Sequence, residues 1–157
     1  MTDVTVKEAK LSDAAAMSKI LRDILTIWKS KRPSSVEHVT AFYVQHPERI
    51  RCSVAVDLNG TILGFQSLKR VVEDNEYDLP DGWGVIGTYV DAKVAGRGVG
   101  KALFASSLDA ARQANLTEID ATMRVSDLLC MRDLADASKL KEHDNNDDFQ
   151  GRFRRVA

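Results

Sequence analysis

Three glycines at alternate positions, Gly96, Gly98 and Gly100, constrain this 157-residue chain more than any other feature. An apolar run over residues 84–90 reads as a strand before them, and residues 100–114 read as a helix after them. Alternate glycines let the backbone curl without Cβ clashes. The exposed N–H groups then converge at a helix N-terminus, a setting that suits a phosphate or pyrophosphate. Arg97 and Lys101 add positive charge there. The chain must therefore place a strand, a tight turn and a helix in immediate succession, which points to an α/β fold.

The flanking sequence extends this frame. Residues 4–6 read as a short strand. Ser12 and Asp13 are candidate helix caps, and Met17, Ile20, Leu21, Ile24, Leu25 and Trp28 then fall on one helical stripe. Lys31-Arg32-Pro33 is expected to end that helix, because proline cannot continue it. Ser34 or Ser35 caps a second helix, expected to run to about residue 45. From residue 51 the period changes to two. Residues 51–57 and 61–72 read as strands joined by Asn59-Gly60, a strong hairpin signal. A hydrophilic loop, residues 73–81, leads to the strand before the glycines. Residues 118–125 read as another strand, 127–140 as a helix and 149–156 as a last strand. The order β-α-α-β-β-β-α-β-α-β argues for a sheet that is part antiparallel and part parallel.

Three phosphate-binding readings compete for the glycine turn. A P-loop needs G-x-x-x-x-G-K-S/T. Gly100-Lys101 fits, but Ala95 stands at the first glycine and Ala102 at the hydroxyl that would hold Mg²⁺. A dinucleotide fold needs G-x-G-x-x-G at the start of a βαβ unit. Here the third position is Lys101, and about 85 residues precede the motif strand. The third reading fits both the turn and its place in the chain. Ala95-Gly96-Arg97-Gly98-Val99-Gly100 resembles the acetyl-CoA pyrophosphate loop of the GCN5-related N-acetyltransferase (GNAT) superfamily, whose pattern is Gln/Arg-x-x-Gly-x-Gly/Ala. Ala95 departs from the Gln or Arg usual there. A shifted register, Arg97-x-x-Gly100-x-Ala102, satisfies the same pattern. The resemblance covers residues 4–125, and the segment from about residue 126 to 157 diverges.

The resemblance implies a single domain over residues 1–157, with a mixed antiparallel and parallel twisted sheet flanked by helices. It implies acetyl-CoA as co-substrate, lying between two splayed parallel strands, residues 84–90 and 118–125. Tyr89 and Val90 would pair with the pantetheine arm, and a backbone N–H there would polarise the thioester carbonyl. Ala95, Gly96, Arg97, Gly98, Val99, Gly100, Lys101 and Ala102 would cradle the pyrophosphate. Acetyl would pass directly to a primary amine of a small molecule or peptide. The runner-up is a non-catalytic module of the same fold that binds acyl-CoA. The family's usual proton donor, a tyrosine on the later helix, is absent: the tyrosines are Tyr43, Tyr77 and Tyr89, and Met131 aligns where one is expected. Cys130, Ser126 or water remain as donors. Glu73, Glu76, Asp78, Glu118 and Asp120 are the candidate bases, each of which also reads as an ordinary solvated carboxylate. Family members often dimerise, so a homodimer is among the expected assemblies.

Composition bounds the other classes. The 22 basic and 23 acidic residues leave a net charge of −1, so no net positive field draws the chain to nucleic acid. No apolar stretch approaches the ~20 residues of a membrane helix. MTDVTVKEAK has no apolar core of the kind a signal peptide carries. Two cysteines, Cys52 and Cys130, form no disulfide framework, and the expected location is the cytoplasm. His38, His46 and His143 are scattered and no metal site is expected. Residues 144–148 lack the glycine and glutamate of a calcium loop and read as a hydrophilic turn.

Overall fold

The apolar stripe from Met17 to Leu25 winds into α1 (Ala14–Ile27), and Met17, Ile20, Leu21, Ile24 and Leu25 are all buried. The computed structural model describes residues 3–72, 81–116, 118–124, 141–145 and 150–156. The helix stops earlier than its proline signal. Lys29 adopts a left-handed conformation (φ 55°), and the Ser30 N–H turns back to the Leu25 carbonyl at 2.9 Å. That closure satisfies a terminal carbonyl before Pro33 is reached. The Ser35 hydroxyl caps α2 (Val36–Val39) by accepting the His38 N–H at 3.1 Å. The expected longer helix instead widens into a π turn over Thr40–Val44, with the Gln45 N–H on the Thr40 carbonyl. Tyr43 and Val44 are thereby buried.

Among the described residues, seven strands form one sheet in the order β1-β2-β3-β4-β5-β7-β6. They are β1 (Thr5–Glu8), β2 (Arg49–Val56), β3 (Ile62–Arg70), β4 (Gly84–Val90), β5 (Glu118–Arg124), β6 (Lys141–Asn145) and β7 (Gln150–Val156). Every pairing is antiparallel except β4 with β5. The β2–β3 hairpin is organised by Asp57, whose carboxylate accepts the Asn59 and Thr61 N–H groups at 2.8 and 2.9 Å. Gly60 supplies the positive φ that the turn requires, at 82°.

Two faces of the sheet are packed. Cys52, Val54, Phe65 and Tyr89 join the core cluster formed with α1, Val39, Tyr43 and Val44. Leu68, Ile86 and Ile119 join Phe104, Leu108 and Ala111 of α3 (Val99–Gln113), and Ala55 and Leu63 meet Leu103 of the same helix. The mixed sheet flanked by helices agrees with the expected fold class. Two differences lie at its far edge. The strand β6 has no counterpart among the expected elements, and Asp144 and Asn145, expected in a hydrophilic turn, end it. Its charged sequence, Lys-Glu-His-Asp-Asn, carries no apolar alternation; pairing with β7 makes it a strand. The helix expected over residues 127–140 lies outside the described residues.

Candidate active site

The parallel pairing of β4 with β5 is short. It runs through Gly84↔Ile119, Val85↔Asp120 and Ile86↔Ala121. Both strands continue, β4 to Val90 and β5 to Arg124, without pairing to each other. On their outer sides each stays paired: β4 with β3 as far as Gly64↔Val90, and β5 with β7 as far as Arg124↔Gln150. The sheet therefore opens into a wedge beyond Ile86 and Ala121. Along Gly87–Val90, alternate residues turn N–H and C=O groups toward the opening.

The glycine turn sits at the wide end of this wedge. β4 passes into a 3₁₀ turn, Ala92–Val94, capped by Asp91, whose carboxylate accepts the Lys93 N–H at 3.0 Å. The Asp91 N–H also donates to the Leu63 carbonyl at 2.9 Å, pinning the turn to β3. Gly96 and Gly98 then take φ of 82° and 81°, conformations an L side chain rarely adopts. Gly98 is the N-cap of α3, and no side chain caps the helix there. The Ala102 N–H bonds the Gly98 carbonyl at 3.0 Å and begins the helical ladder. The N–H groups of Val99, Gly100 and Lys101 precede it and have no intrahelical partner. Arg97 and Lys101 are exposed beside them, while Val99 and Gly100 are buried. A helix start with uncapped donors and flanking cations is an anion site by its electrostatics.

Gly64 sets the position of the last β4 residues. A Cβ there would stand 2.8 Å from the Tyr89 carbonyl oxygen and 3.2 Å from Val90 Cα. Only glycine lets β3 lie this close to the strand that borders the wedge.

The α1 side of β4 carries an aromatic cluster. Tyr89 packs on Phe65 (centroids 5.0 Å apart), Tyr43 (5.9 Å) and Trp28 (6.4 Å). The Arg32 guanidinium donates to the Tyr89 hydroxyl at 3.1 Å, and the Tyr43 hydroxyl donates to it at 3.2 Å. Lys69, buried on β3, lies 3.3 Å from the centre of the Phe42 ring and 5.0 Å from that of Tyr43. The resemblance implies a backbone role for Tyr89, and Arg32 reads as part of a helix stop. The side-chain cluster joins positions 46 and 57 residues apart, which no local pattern marks. On the α3 side, Gln66 Nε2 donates to the Thr88 hydroxyl at 2.8 Å.

Two of the candidate bases, Glu118 and Asp120, lie among the described residues. Glu118 begins β5 at the paired end of the wedge, and Asp120 is buried within the paired stretch. The residues beyond the parting point are on the other side of Ala121. Glu73, Glu76, Asp78, Ser126, Cys130 and Met131 lie outside the described residues. Among the described residues no group of three His, Cys, Asp or Glu side chains is placed to hold a metal ion, and no helix is long and apolar enough to cross a membrane.

The family described as "Acetyltransferase (GNAT) family" matches residues 16–128. No curated protein matches the chain. Among solved structures, the GNAT superfamily phosphinothricin acetyltransferase of Sinorhizobium meliloti in complex with AcCoA superposes with a TM-score of 0.78 at 16% identity, over 98% of this chain and 88% of that one. A GCN5-related N-acetyltransferase from Kribbella flavida gives 0.77 at 19% identity, over 99% and 98%. A ribosomal-protein-alanine N-acetyltransferase from Brucella melitensis gives 0.75 at 15% identity, over 98% and 99%. Their names span a small molecule and a protein as acceptors, so the shared fold does not carry one over.

Proposed function

Because this chain belongs to the acetyltransferase (GNAT) family, we propose that it moves acetyl from acetyl-CoA directly to a primary amine of a small molecule or peptide. The observation that carries the reading is the wedge: β4 and β5 part after Ile86↔Ala121, next to the left-handed glycine turn that opens α3. In this reading the loop from Ala95 to Ala102 holds the pyrophosphate, through the N–H groups of Val99, Gly100 and Lys101 that no helical carbonyl takes and through the Arg97 and Lys101 side chains. The unpaired main chain of Gly87–Val90 takes the pantetheine arm as a missing strand would. A β4 N–H meets the oxygen charge that develops when the amine attacks the thioester carbonyl carbon. The carbon–sulfur bond then breaks, the amine nitrogen gives up a proton and the thiolate gains one. The acceptor approaches from the α1 side, walled by Trp28, Tyr43 and Tyr89. The location assigned is the cytoplasm, in keeping with the unpaired thiol of Cys52.

Calorimetric titration with acetyl-CoA, dephospho-CoA and ATP tests this. Acetyl-CoA should bind in the micromolar range and ATP should not. Gly98→Val forces a β-branched residue into a left-handed conformation, costing about 1–2 kcal/mol of local strain, and should abolish acetyl-CoA binding while the fold persists. Unchanged affinity in that variant would remove the loop assignment. The second reading, a module that binds acyl-CoA without turnover, draws on one observation: residues 125–140 contain no tyrosine. Thiol release over a panel of amines separates the two.

A further inference from the structure

The structure supplies another phenol in place of the one missing from the chain's later segment. We propose that Tyr89 donates the proton that the departing CoA thiolate takes up. This inference rests on the acetyl-transfer reading and adds a named donor to it.

The position of the ring comes first. Tyr89 lies on β4 within the stretch that has left β5. Gly87 is the first residue past the last β4–β5 pair. A Cβ on Gly87 would stand 3.4 Å from Tyr89 Cε2 and 3.6 Å from Tyr89 Oη. The ring therefore folds back along the strand, and its hydroxyl sits over the point where the two strands part. A side chain larger than alanine at position 87 would occupy that place. The ring is 6% exposed and wedged among Trp28, Tyr43 and Phe65, so the hydroxyl has a fixed location.

The direction of the hydroxyl proton follows from its partners. A guanidinium can only donate, so Arg32 occupies one lone pair of Tyr89 Oη. The Tyr43 hydroxyl donates to the other. The Tyr89 proton then has no acceptor among the described residues and is available to a ligand at the head of the wedge. Other ionisable side chains around this cluster are Lys69 from β3, over the Phe42 and Tyr43 rings, and His38 from α2, edge-on to Tyr43.

The step balances within the proposed acetyl transfer. The amine nitrogen bonds to the thioester carbon, and the carbon–sulfur bond breaks with its electron pair on sulfur. Sulfur takes the Tyr89 hydroxyl proton. The phenolate oxygen, facing the Arg32 cation and the Tyr43 hydroxyl, takes the surplus proton of the new amide nitrogen. Tyr89 ends as it began, and the products are the amide and the free thiol.

Bound CoA itself is the probe, so no acceptor is needed. The thiolate absorbs in the far ultraviolet, and its titration can be followed in the full-length protein. Tyr89→Phe should bind CoA within about twofold of wild type, yet raise the pKa of the bound thiol by about one unit, a tenfold change in its proton affinity. Arg32→Ala, at an exposed residue, should raise it by less and keeps the test available if Tyr89→Phe does not fold. A bound thiol that titrates identically in wild type and variant overturns the role of Tyr89 and leaves the acetyl-transfer reading intact. Failure of the wild type to bind CoA overturns both.

Discussion

At the scale of single residues, Cys52 shows how burial decides chemistry. It lies on β2 under α1, with no exposed surface. Burial pushes its thiol up to about 12, against smaller opposing pulls from Arg49 and Lys69. A thiol held protonated through neutral pH is no nucleophile. The same shift makes a stability prediction. In the unfolded chain the thiol loses its proton near its ordinary value of 9.0, whereas the folded chain keeps it to about 12. Stability present below the unfolded value is therefore lost progressively as pH rises through that window. Cys52→Ala should remove this component. Urea midpoints for both proteins, measured from about pH 8 to about pH 11, should fall less steeply in the variant. Parallel slopes would show that the thiol is not shielded. The composition marked Cys52 only as a free thiol. Its burial depends on where β2 sits in the sheet, which one residue type cannot reveal.

At the scale of elements, spacing is a good guide wherever the cause is local. The α1 stripe, the β4 run and the glycine-capped start of α3 follow from side-chain period and backbone freedom within a few residues. The helix α1 ends before its proline signal because Lys29, an ordinary residue, takes the left-handed position usually given to glycine. The widening of α2 into a π turn likewise comes with the burial of Tyr43 and Val44 against the sheet, not from a residue code. Gly64 offers the sharpest test at this scale. Its missing Cβ faces a backbone oxygen of β4, which cannot swing aside as a side chain would. Gly64→Ala should cost about 1–3 kcal/mol, read as a lowered denaturant midpoint, and should weaken acetyl-CoA binding by shifting Tyr89 and Val90. An alanine variant as stable as wild type would mean that the two strands can move apart freely.

At the scale of the whole molecule, the wedge depends on the far end of the chain. Beyond its short pairing with β4, β5 is held by β7 along Glu118↔Val156 through Arg124↔Gln150, and β6 borders β7 in turn. Removing residues 141–157 should leave the parallel stretch as the only strand pairing of β5 among the described residues. Amide exchange in residues 118–124 should then quicken as the local opening free energy falls, with loss of acetyl-CoA binding. Protection unchanged by the truncation would assign the hold on β5 to other contacts. This dependence was the least readable part of the sequence. The strand β7 was expected, but its insertion between β5 and β6 is a matter of chain crossing, and the polar β6 has no pattern of its own. The cluster of Arg32, Tyr43 and Tyr89 was hidden for the same reason: its members meet only after the sheet is assembled.

The parting of β4 from β5 has one more consequence. An unpaired row of main-chain donors and acceptors is the same for every residue but proline. Substitutions along β4 would change what lies above and below the sheet and leave that row standing. The wall that the proposed reading gives an incoming acceptor, built from Trp28, Tyr43 and Tyr89, is by contrast spelled out in side chains. Two inheritances are thus separable within one strand. The grip on the shared donor molecule can persist through extensive drift, while the choice of recipient is free to be rewritten a residue at a time.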